Sequence, residues 1–101
     1  MTDSSYFVYR LIPPRPRFDV DMSDDERVIM GRHAAYWQEL TDQGRVLIFG
    51  PVRDSTGAWG LAVFRAANDT KARGLVAGDP AVSTGMATCD VGPMLAAVLP
   101  G

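Results

Sequence analysis

A chain of 101 residues, 47% apolar and 22% charged, is expected to form one soluble domain over residues 1–101, near the lower limit for burying an adequate core. Its formal net charge of −2, with basic residues that form no long stripe, gives nucleic acid binding no electrostatic support. The single cysteine, Cys89, excludes an internal disulfide and a cysteine-rich zinc site, and neither the polar residues 1–5 nor the short apolar run 94–99 has the form of a signal peptide or a membrane span, so a cytoplasmic protein with no membrane partner is expected.

Residues 6–12 are rich in β-branched and aromatic side chains and stop at Pro13-Pro14, which predicts a first strand. Residues 13–22 read as an irregular loop, because their prolines forbid regular pairing. Ser23-Asp24-Asp25-Glu26 has the spacing of a capping box, opening a helix that ends where Gly44 can turn left-handed. Along it Ile29, His33, Tyr36, Trp37 and Leu40 recur at helical spacing and share the inward face. Gly31 costs about 1 kcal/mol relative to alanine inside a helix, which suggests that something packs closely on that turn.

Residues 45–49 form a continuous apolar strand closed by Gly50-Pro51. The turn residues Asp54-Ser55-Thr56-Gly57 lead into a third strand over 59–67, and so short a connection predicts an antiparallel hairpin. Asn68 or Asp69 caps a second helix through Ala77, with Ala72, Leu75 and Val76 on its buried face. After Gly78-Asp79-Pro80 and a Ser/Thr/Gly loop, residues 87–91 make a fourth strand. The order β-α-β-β-α-β predicts an α+β, ferredoxin-like fold: a four-stranded antiparallel sheet with both helices on one face. Strands two and three are apolar on both sides, Val46 and Ile48 against Leu47 and Phe49, and Leu61 and Val63 against Ala62 and Phe64. An exposed apolar sheet face of that size predicts a homodimer formed through the sheet faces.

His33, the only histidine, is a candidate for proton transfer, since an imidazole changes charge near neutral pH; the alternative is a core histidine tied to a backbone carbonyl. Asp79 is either a plain turn starter before proline or a carboxylate that returns beside the first helix and orients His33. Tyr36 and Trp37 are core or the wall of a substrate pocket. Among the arginines that could hold an anionic substrate, Arg32 adjoins His33, and Arg15 and Arg17 share the proline loop. Ser83, Thr84 and Cys89 have no partner spacing that marks a nucleophile. One histidine and dispersed carboxylates make no metal site, no glycine loop cradles a phosphate, and no cofactor is expected.

The segments Gly31-Arg32-His33-Ala34-Ala35-Tyr36-Trp37, Gly44 to Pro51 and Gly78-Asp79-Pro80, in that order on a β-α-β-β-α-β frame, resemble the YCII-related family of small proteins over about residues 5–93. The resemblance implies a dimeric α/β barrel and a His–Asp pair in a pocket, carried here by His33 and Asp79. Two functions stand side by side. One is a small cofactor-independent isomerase, lyase or hydrolase in which His33, oriented by Asp79, moves a proton on a small, partly apolar molecule, neutral or anionic. The other is a non-catalytic ligand-binding or accessory module in which the pair only stabilises pocket or dimer.

Overall fold

In the computed structural model, which describes residues 5–101, the chain runs β1 (Ser5–Ile12), α1 (Phe18–Asp21), α2 (Asp24–Asp42), β2 (Val46–Asp54), β3 (Gly57–Ala66), α3 (Asp69–Ala77), α4 (Pro80–Ser83) and β4 (Thr88–Pro93). The polar residues 1–4 read above lie outside the described part. The strands form one sheet in the order β2-β3-β1-β4, every neighbouring pair antiparallel, which is the ferredoxin-like α+β arrangement. No helix among the described residues is long and apolar enough to cross a membrane.

Side-chain alternation decides which face of the sheet is covered. Phe7, Tyr9 and Leu11 of β1 stand opposite Phe64, Ala62 and Gly60 of β3, and all the non-glycine members of that set are buried. Trp37 and Leu40 of α2 and Ala72 and Val76 of α3 complete the same cluster. Trp37 stacks on Tyr9 with ring centroids 4.8 Å apart, and leans on Phe64 at 5.7 Å. The Ser23–Glu26 capping box opens α2, Asn68 caps α3, and Gly44 follows α2 with φ of 78°.

Four local expectations change. Strand β2 does not close at Gly50-Pro51 but continues to Asp54; it is an edge strand, where a proline lacking N–H interrupts no ladder. A bulge between Val46 and Ile48 puts Val46 and Phe49 on the helix-covered face, opposite Phe64 and Ala62, and turns Ile48 to the other side, 60% exposed, opposite Val63. Gly31 is exposed on α2, with open space where a Cβ would stand, so close packing does not explain it. The two loops around prolines each contain a one-turn helix, α1 and α4; in α4 Pro80 fits the first turn and Asp79 supplies the cap, whereas α1 follows Arg17 without a side-chain cap. The uncovered face carries the row Ile48–Val63–Val8 and the pair Val52–Trp59, and beyond β4 the side chains of Leu95 and Val98 are fully exposed.

Residues 13–22 form a strap held at several points. Arg15 bonds Asp21 at 2.8 Å and Glu26 at 2.7 Å and lies over the ring of buried Phe18. These bonds from Arg15, with the backbone of Ser23, hold the Glu26 carboxyl down at about 2. Arg53 of β2 reaches Asp19 at 2.5 Å. The hairpin turn closes against the strap: a Cβ on Gly57, where φ is 120°, would lie 3.0 Å from the backbone oxygen of Pro16. Gly57→Ala therefore meets both backbone strain and a backbone neighbour, and is expected to cost about 1–3 kcal/mol in chemical denaturation. A variant as stable as the parent would show that the strap gives way freely.

Candidate active site

Asp79 follows the C-terminal cap of α3 and begins α4, where its Oδ1 accepts from the N–H of Ala81 at 2.9 Å. That turn brings its other oxygen under α2. Oδ2 accepts from Tyr9 Oη at 2.5 Å, from His33 Nδ1 at 2.7 Å and from Trp37 Nε1 at 2.8 Å. His33 and Trp37 reach it together because they are four residues apart on α2, and Tyr9 rises from the central strand beneath. The Asp79 side chain has no exposed surface.

An unpaired carboxylate so placed would cost several kcal/mol, and burial does push the Asp79 carboxyl toward protonation. The hydrogen bonds from His33, Tyr9 and Trp37 outweigh burial and hold it below the usual carboxylate range. Burial, and then the bond to Asp79 and its charge, push the Tyr9 hydroxyl far up, so it remains a donor. An ionised carboxylate only accepts, hence Nδ1 of His33 carries a hydrogen, and in the neutral form of the ring Nε2 is the free base. Among the described residues no hydrogen bond reaches Nε2, and no buried side-chain nitrogen or oxygen lacks a partner, so Nε2 is open to solvent. The His33 side chain is 13% exposed and lines a cavity of about 360 Å³.

That cavity lies between α2, the strap and the β2–β3 end of the sheet. Its walls are aromatic and thioether side chains: Phe18, Met22, Met30, Phe49 and Met86. Its floor exists because the helix-facing positions of β3 at this end, Ala58, Gly60 and Ala62, are small. Among the described residues no arginine or lysine lines it, and the one carboxylate in the lining, Asp19, is engaged by Arg53.

Of the residues singled out in the sequence, His33, Asp79 and Trp37 are brought together, and His33 and Trp37 line the cavity. Tyr36 faces α3 instead, donating to the carbonyl of Leu75 at 2.6 Å, with its ring edge against Trp37. Its hydroxyl occupies the space beside Gly78, where a Cβ would come within 2.6 Å. Arg32 is exposed on α2 and Arg15 is held by Asp21 and Glu26; neither lines the cavity. Tyr9 was not singled out; its signal was a hydroxyl-tipped aromatic between two inward apolar residues of a central strand. Among the described residues no three His, Cys, Asp or Glu side chains converge where they could hold a metal ion.

The lowered Asp79 value means that the unfolded chain binds the extra proton. Its contribution is complete above the ordinary aspartate range, about pH 4, and is lost as pH falls through the lower native value. Asp79→Asn is expected to cost about 2–4 kcal/mol at neutral pH, a gap from the parent that narrows below about pH 4. Thermal melts of both proteins from neutral to acid pH check this, and a pH-independent gap would contradict it.

The sequence model of the YCII-related domain family matches residues 7–94. No curated protein matches the chain.

Proposed function

The chain belongs to the YCII-related domain family, and on that premise we propose that it is a small acid–base enzyme in which His33 transfers a proton on a small molecule while Asp79 orients it. One observation carries the reading: the imidazole is bound at Nδ1 by a buried carboxylate, lines an apolar cavity, and has no hydrogen-bond partner at Nε2 among the described residues. Nε2 takes a proton from the bound molecule, and the Asp79 carboxylate stabilises the imidazolium that forms. Return of the proton at another atom gives isomerisation, and its delivery to a leaving group gives elimination. A hydrolytic variant uses water as the group deprotonated. The cavity lining favours the apolar character of the substrate over the anionic one.

A second reading has its own support. Tyr9 and Trp37 hold Asp79 as closely as His33 does, which is what a structural hub in a non-catalytic ligand-binding module requires. His33→Ala separates the two. The enzyme reading expects loss of activity or binding with fold retained, since alanine suits the helix and the capping box and Trp37–Leu40 face remain. The structural reading expects a drop of about 1–3 kcal/mol with affinity per folded molecule unchanged. Melting curves run beside a screen of small lactones and carboxylates decide between them.

The assembly is a homodimer through the uncovered sheet face. Its support is the exposed Ile48 and the apolar row it forms with Val63 and Val8, a surface that gains by meeting its own copy. Light scattering at micromolar concentration is expected to give twice the chain mass, and Ile48→Lys to shift it toward the monomer. A stable monomer for the parent protein would rule this out. A cytoplasmic location agrees with a lone, half-buried thiol.

A further inference from the structure

We infer that the ligand of this cavity is an uncharged, largely apolar weak acid whose conjugate base is delocalised over a conjugated frame, and that it is held as an ion pair with the His33 imidazolium. This ligand class presupposes the proton-transfer role of His33 proposed above. The wall of Phe18, Met30, Trp37, Phe49 and Met86 offers flat, polarisable surface, and about 360 Å³ accommodates a substituted ring. A carboxylate or phosphate entering there would shed its water and find no arginine or lysine to replace it. It would also approach Asp19, a carboxylate in the lining.

The proton step constrains the ligand further. An O–H or C–H bond of the ligand breaks, its proton passes to Nε2, and the electron pair stays on the ligand. The imidazolium then stands between two anions, Asp79 at Nδ1 and the ligand at Nε2. On the far side of the ligand the lining supplies aromatic and thioether groups rather than cations, so a localised oxyanion there is unsupported. Charge spread through the ligand's own conjugated frame removes that demand. The ionisable groups around the imidazole are Asp79 at the α3–α4 junction and Tyr9 from β1, with Asp19 of the strap at the wall, paired to Arg53, which lies outside the lining.

Three probes of similar size test the inference on the intact protein: 4-nitrophenol, nitrobenzene and benzoate. The working pH is one at which free 4-nitrophenol is mostly protonated. Absorbance reads whether the bound dye is ionised, and the ring resonances of His33, the only histidine, read where the proton is. The expected result is a bound, ionised dye and a protonated His33, with affinity at least about tenfold above that of either other probe. In His33→Gln, which keeps a polar side chain but cannot take the proton, the bound dye is expected to stay colourless. Benzoate binding as tightly as the dye, a bound but unionised dye in the parent protein, or no binding by any probe would each overturn the ligand class. Dye affinity equal in parent and His33→Gln, with unmoved His33 resonances, would instead defeat the proton-transfer role itself and the ligand class with it.

Discussion

Oδ2 of Asp79 accepts from Tyr9 of β1 and from His33 and Trp37 of α2, while Oδ1 accepts from the first turn of α4, so one side chain ties sheet, long helix and returning segment together. Charge-assisted bonds of this kind are about twice as strong as neutral ones, and the buried carboxylate needs all the stabilisation they give. The arrangement is also restrictive. Tyrosine and indole can only donate to an ionised carboxylate, which leaves the imidazole one tautomer and one orientation. Local structure at the α3–α4 turn thus sets the chemical state of a ring on another helix.

Much of the frame could be read from the chain because short-range rules decide it. The capping box at Ser23, the asparagine cap at Asn68 and the left-handed Gly44 each act within a few residues, and each appears where its side chains demand. The period-two pattern in β1 and the period of 3.6 in α2 fixed the covered face in the same way. Pro51 misled because its effect depends on whether a neighbouring strand needs its N–H, which only the strand order decides. The bulge before Ile48 was equally hidden, since nothing in a run of apolar residues marks where one steps out of register.

The site was legible only in part, for a related reason. The inward position of His33 follows from helical spacing, but the side chains that meet it come from separations of 46 residues for Asp79 and, around that carboxylate, 70 for Tyr9. An aspartate before proline reads as a turn until its other oxygen is seen to face inward. Tyr36, one residue from Trp37, is rotated by about 100° around the helix and meets α3 rather than the cavity. Arg15 had the sequence of a free cation in a proline loop, yet its nearest anions, Asp21 and Glu26, lie in the same segment and the helix it leads into.

The row Ala58, Gly60, Ala62 on β3 and the residues His33, Trp37 and Tyr9 that bind Asp79 line one cavity, and they are encoded on different elements. A methyl group added at Ala58, at the far end of the row from the Tyr9–Ala62 pair, trims the cavity without adjoining a donor to the carboxylate. The shape of the cavity is thereby uncoupled from the state of the imidazole beside it. Sequence drift along one strand can retune that space while the hydrogen-bonded cluster of Tyr9, His33, Trp37 and Asp79 is inherited intact.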